Sequence, residues 1–208
     1  MSQTISRSRF AAALFALLTL SFVSFAQTSP DERALYPQVK IKNFGQMDER
    51  FFRGAQPKEA DYQSLAAIGI KTILDLREDA EVYAKSAAEA AGLRYVNIPM
   101  RGKTYPKEQD IAAFLQAVND PETGKFYAHC AGGRHRTGSV GAVYRFNLNG
   151  WNYDQVYREM KNYDFYTRWG HGDYKKFVQD YWQRVQTHQI APAATTTTVE
   201  AAASGGTK

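Results

Sequence analysis

His129-Cys130-Ala131-Gly132-Gly133-Arg134-His135-Arg136-Thr137-Gly138 sets the only cysteine of a 208-residue chain six positions before an arginine. Glycines lie between the two, and Thr-Gly follows. This arrangement suits holding a phosphate dianion against a thiolate. Backbone N–H groups, freed to curl by Gly132 and Gly133, would surround the phosphate oxygens. A helix starting near Arg136 would add its positive end. Arg136 would bind two oxygens with its planar fork. The same surroundings would lower the Cys130 pKa from about 8.5 to within roughly 3.5–7.5. The substrate-binding loop is thus Ala131, Gly132, Gly133, Arg134, His135 and Arg136, with Cys130 as nucleophile.

Outward from this loop, the pattern alternates strands and helices. Residues 39–43 and 49–54 alternate apolar and polar types and read as a strand pair around Phe44-Gly45. Pro57 opens a helix to about Ala67, with Leu65, Ala66 and Ile68 inward, ended by Gly69. Ile70 to Leu76 is a buried strand. Glu78 to Ala91 is an alanine-rich helix closed by Gly92, and Leu93 to Ile98 is a further strand. Residues 107–118 carry Ile111, Phe114, Leu115 and Val118 at helical spacing. Lys125 to His129 is a strand feeding Cys130. Helices follow at 137–148, 153–162 and 173–185, with Gly138 and Gly141 permitting close packing in the first. The order implies an α/β fold of three layers, a mainly parallel central sheet flanked by helices. The phosphate loop belongs at the carboxyl end of that sheet.

The ends of the chain read differently. Residues 1–26 have the form of a secretory signal: Arg7 and Arg9, an apolar run from Phe10 to Phe25, and small Ser24 and Ala26 before a cleavage point. The expectation is an exported, periplasmic or secreted protein; an uncleaved N-terminus would instead anchor it to a membrane. Residues 191–208, rich in Ala and Thr, form a low-complexity tail with nothing to bury. One domain over 38–188 remains. Net charge is +5, with Lys and Arg scattered, so no nucleic-acid partner is expected. A lone cysteine forms no internal disulfide, and its retention in an exported chain favours a chemical role.

The loop resembles the His-Cys-x-x-Gly-x-x-Arg-(Ser/Thr)-Gly signature of cysteine-dependent protein tyrosine and dual-specificity phosphatases, with every fixed position present. Phe51-Phe52-Arg53-Gly54-Ala55-Gln56-Pro57 is similar to the Tyr-Arg-Ser-x-Gln-Pro segment of the bacterial and plant/fungal atypical dual-specificity branch, with Gly54 where serine is commoner. Lys71-Thr72-Ile73-Leu74-Asp75-Leu76-Arg77 resembles the next strand of that branch.

The resemblance implies a phosphocysteine mechanism on a phosphorylated protein or small molecule, with no cofactor. Cys130, Arg136 and Thr137 are the catalytic residues, with Thr137 bonding the sulfur as leaving group. His129 would orient the loop from the strand side. Asp75 is a supporting residue, paired with Arg77 or touching substrate, and the side chains of Arg134 and His135 point outward. The family places an aspartate acid twenty to thirty residues before the cysteine, but the loop at 100–106 holds none. Glu108 and Asp110 are the nearest candidates for that catalytic role. Their alternative is to complement a helix dipole, with protonation left to another group or to the substrate itself. Arg101 and Lys103 would flank the pocket and suit a second phosphate, as on an inositol polyphosphate. Trp169-Gly170-His171-Gly172-Asp173 offers too few ligands for a metal site and reads as a turn. Two further readings are a phosphate-binding module without turnover and a sulfurtransferase; Arg136-Thr137-Gly138 favours the phosphatase over the latter.

Overall fold

The computed structural model describes residues 35–187. The segments 1–26 and 191–208, read above as signal and tail, lie outside the described residues. Five strands form one sheet in the order β1-β2-β5-β3-β4. They are β1 (Gly45–Gln46), β2 (Phe51–Ala55), β3 (Thr72–Arg77), β4 (Arg94–Met100) and β5 (Phe126–Cys130). Only β1 runs antiparallel, against β2; the other pairs are parallel. Helices α1 (Asp61–Ala67) and α2 (Ala84–Ala90) pack on one face. Helices α3 (Glu108–Asn119), α4 (Arg136–Leu148), α5 (Tyr153–Asn162) and α6 (Gly172–Gln186) pack on the other.

Successive side chains on each central strand feed opposite cores, as the two-residue repeat of a strand requires. Phe51, Leu74, Phe126 and Ala128 join the α3–α6 side. Phe52, Ile73 and Tyr127 join the α1–α2 side. Burial on both faces is why these strands read as continuous apolar runs. The three-layer expectation agrees with this arrangement.

Several boundaries move, each for a visible reason. The strand expected at 39–43 is irregular chain ending in a turn at 42–43, and β1 starts only at Gly45. Asn43 sits at φ 54, which breaks an extended course, while Val39, Ile41 and Phe44 are buried beneath Phe52 and Tyr127. Pro57 precedes rather than opens α1: the Asp61 carboxylate accepts the Lys58 N–H at 2.8 Å and starts the helix there. The helix expected at 78–91 begins at Ala84. Arg77 draws Asp79 and Glu81 into ion pairs at 3.2 and 2.8 Å and holds that stretch as a loop.

The central helix α4 is buried along most of its length. A Cβ on its Gly141 would lie 3.2 Å from Met47 and 3.5 Å from Arg53 Nη1, so this glycine lets the helix approach the sheet.

Candidate active site

β5 delivers Cys130 to the carboxyl end of the sheet, and α4 begins at Arg136. Between them the loop is held from outside through its carbonyls. Asn43 Nδ2 donates to the Gly132 carbonyl at 2.8 Å, Arg53 Nη2 to the Gly133 carbonyl at 2.8 Å, and the Gln56 N–H to the Ala131 carbonyl at 3.3 Å. With the carbonyls pulled outward, the loop N–H groups are left for an anion. Gly133 adopts φ 66 and lies directly against β2.

Burial works against a Cys130 thiolate, but the Arg136 charge, the hydroxyl and N–H of Thr137 and the Arg134 N–H outweigh it. The thiol pKa therefore falls below its ordinary value. The Thr137 hydroxyl is buried with no oxygen or nitrogen partner among the described residues, and it is one of the groups that lower the thiol pKa. Arg136 Nη1 is fixed by the carbonyls of Met100 at 3.1 Å and Leu76 at 3.4 Å, and among the described residues its other N–H groups find no acceptor.

Beneath the loop lies a second guanidinium, that of Arg53, with no exposure at all. It stacks on Tyr163 at 4.0 Å and bonds Gly133, while its Nε and Nη1 find no hydrogen-bond partner among the described residues. Burial lowers its pKa, and the nearby Tyr163, Glu159 and Cys130 pull in the opposite direction. Glu159 is itself held by Arg145.

Gly54, where the resembling segment commonly has serine, has a local cause. A Cβ there would lie 2.1 Å from the Tyr127 hydroxyl, which donates to the Ala55 carbonyl at 2.7 Å. Gly54→Ser is expected to displace that phenol and cost about 1–3 kcal/mol, the usual range for overpacking; urea unfolding measures it.

Asp75 does not pair with the Arg77 side chain. Its carboxylate accepts the Arg77 backbone N–H at 2.9 Å and the Tyr95 hydroxyl at 2.7 Å. The Arg77 guanidinium turns away to Asp79, Glu81 and Gln56. His129 is fully buried, 3.8 Å from Asp75, and among the described residues neither ring nitrogen has a hydrogen-bond partner. Burial drives its pKa down to about 4, so it is neutral at neutral pH.

The phosphate pocket has a volume of about 260 Å³, and Cys130, Arg136, Lys103, Tyr166, His171 and Tyr174 line it. His135 corrects the outward reading. Its ring is buried, stacked on His171 at a centroid distance of 3.9 Å and packed against Tyr174, with Nε2 3.0 Å from the Tyr166 carbonyl. Aromatic residues of the α5–α6 turn cover it. Arg134 is half-buried and lies 3.7 Å from Asp164.

Among the described residues, no carboxylate lines this pocket. Glu108 opens α3 with an 84% exposed side chain, bonds Arg184 at 2.6 Å and lines a separate groove; Asp110 lies on the same turn, outside the pocket. Lys103 reaches the pocket, its N–H donating to the Tyr174 hydroxyl at 2.9 Å, whereas Arg101 does not. Sequence reasoning left out Asn43, Tyr166 and Tyr174, and it read His171 only as part of a turn. The aromatic spacing at 163–174 was the one signal for the three in that segment.

A family described as DSP-PTPase phosphatase fused to NAD+ kinase matches residues 37–179. Among solved structures, TpbA of P. aeruginosa superposes with a TM-score of 0.58 at 21% identity, covering 69% of this chain and 86% of that one. The core catalytic domain of the PP-IP phosphatase SIW14 from S. cerevisiae gives a TM-score of 0.57 at 19% identity, covering 72% and 93%. These likenesses carry the fold. A curated relative, the beta-lactamase hydrolase-like protein of Agrobacterium fabrum, is 42% identical over 94 residues. That match spans 42% of this chain and only 21% of the relative's length.

Proposed function

Because the chain belongs to the family of DSP-PTPase phosphatases, we propose that it hydrolyses phosphomonoesters through a phosphocysteine on Cys130. The observation that carries this reading is the buried Cys130, with its lowered pKa, facing Arg136 across a loop whose carbonyls are tied outward. In the first step the Cys130 thiolate attacks phosphorus; the S–P bond forms as the P–O bond to the leaving group breaks. Arg136 and the loop N–H groups stabilise the charge that builds on the equatorial oxygens. In the second step water attacks the phosphocysteine, and Thr137 stabilises the departing thiolate.

The preferred substrate is phosphotyrosine or another phosphorylated protein side chain, since Tyr166, His171 and Tyr174 offer ring faces at the pocket wall. TpbA also has a solved complex with pTyr. Lys103 and Arg134 at the same pocket favour a second reading, a polyphosphorylated ring such as an inositol phosphate. The signal-like residues 1–26 support action outside the cytoplasm.

A substrate panel tests the proposal: phosphotyrosyl peptide, phosphoseryl peptide and inositol hexakisphosphate, each with the Cys130→Ser variant as blank. Cys130-dependent turnover fastest on the phosphotyrosyl peptide supports the first substrate, and fastest on the inositol phosphate the second. No turnover under reducing conditions would leave a binding module.

A further inference from the structure

Expelling an alkoxide or phenoxide requires a proton, and no carboxylate lines the described pocket to supply one. The α5–α6 turn brings a different group there. Trp169 at φ 57 and Gly170 at φ 81 reverse the chain just before α6 and set His171 against the phosphate loop. The ring stacks on His135 at 3.9 Å with its plane inclined 24°, and the edge of Tyr166 closes one side at 5.0 Å. His171 Nδ1 lies 2.9 Å from the Arg168 carbonyl oxygen. A carbonyl only accepts, so Nδ1 carries a hydrogen and Nε2 is the nitrogen free to exchange a proton.

The neighbouring groups are less suited. His135 commits Nε2 to the Tyr166 carbonyl, and burial, followed by the adjoining His171, holds its pKa at about 4. The Tyr174 hydroxyl accepts the Lys103 N–H, and burial raises its pKa. Lys103 offers a charge near the leaving group, but an ammonium is a poor acid at neutral pH.

We propose that His171 is the proton carrier of the reaction, donating from Nε2 to the leaving oxygen and later receiving a proton from the attacking water. This rests on the phosphatase reading. In the first step the imidazolium gives its Nε2 proton to the oxygen as the P–O bond breaks and the Cys130 S–P bond forms. In the second, neutral Nε2 takes a proton from water as its oxygen bonds phosphorus. The S–P bond then breaks, and thiolate, imidazolium and phosphate are restored. The groups facing the ring are Arg134, His135 and Arg136 from the loop, Lys103 from the 100–106 segment, Tyr166 and Arg168 from the turn, and Tyr174 from α6.

The test compares phenyl phosphate, a poor leaving group, with 4-nitrophenyl phosphate, a good one, in the wild type and in His171→Asn. Asparagine keeps a donor for the Arg168 carbonyl and removes the exchangeable Nε2 proton. kcat/KM, which reports only the steps up to the phosphocysteine, is expected to fall about 100-fold for phenyl phosphate, the lower range for losing a general acid. For 4-nitrophenyl phosphate it should change less than about threefold, because that leaving group departs without a proton. The alkaline limb of the kcat/KM–pH profile should disappear with phenyl phosphate, and Glu108→Gln and Asp110→Asn should keep it. The proposal fails if His171→Asn lowers kcat/KM equally for both substrates or for neither, or if either carboxylate variant loses the limb. If the wild type shows no Cys130-dependent turnover of either ester, the phosphatase reading itself fails.

Discussion

Arg136→Lys is expected to lower kcat/KM for an aryl phosphate by about 100- to 1,000-fold, the cost of losing one preorganised donor to the transition state. Lysine keeps the charge but not the planar fork. The Met100 and Leu76 carbonyls fix one arm of the Arg136 guanidinium and aim the rest. A lysine ammonium in that place would bond the same carbonyls and leave the equatorial oxygens short of a donor. Arg136→Ala adds a second loss. Arg136 is the largest of the influences that favour the Cys130 thiolate, and burial of the sulfur then acts with less opposition. The pH at which iodoacetamide begins to alkylate Cys130 should therefore move upward in Arg136→Ala, and less in Arg136→Lys. Equal alkylation profiles in the three proteins would mean that the loop N–H groups alone hold the thiolate.

Gly133→Ala is expected to cost about 3 kcal/mol of stability and at least about 100-fold in turnover. A Cβ there would sit 2.4 Å from the Gly54 carbonyl carbon, 2.5 Å from its oxygen and 2.6 Å from the Ala55 nitrogen. All three belong to β2, a strand paired on both sides, so the strand cannot yield. The φ of 66 adds roughly 1–2 kcal/mol for any residue with a Cβ. The loop must then move, and the bond from Arg53 to the Gly133 carbonyl goes with it. Urea unfolding and a single-turnover assay measure the two losses. A fully active, equally stable Gly133→Ala variant would show that the loop is not packed against β2 as described.

The parts of the site that were legible in the sequence are those made by neighbours in the chain. Cys130, Gly133, Arg136 and Thr137 lie within one turn of loop and the start of one helix, so spacing alone could reveal them. Asn43 and Arg53 serve the same loop from 89 and 80 residues away, and only the sheet order brings them to it. His135 was misread because its environment is made by the α5–α6 turn, which loop spacing does not describe. Asp75 and Arg77 fit an ion pair on paper. In the sheet their side chains part, since residues two apart on β3 share a face but the Tyr95 hydroxyl and the Arg77 N–H already occupy the carboxylate. Among the elements, the strands buried on both faces were the plainest. The short α2 was overextended because an alanine-rich run says nothing of where Arg77 draws Asp79 and Glu81.

The central claim is that Cys130 carries the phosphoryl group between substrate and water. Acid-quenching the wild type within its first turnovers of an aryl phosphate, followed by peptide mass analysis, tests it most directly. One phosphoryl group is expected on the peptide containing Cys130, decaying as phosphate appears and absent from Cys130→Ser, which should not turn over. A phosphoryl group on another residue, or wild-type turnover by Cys130→Ser, would contradict it.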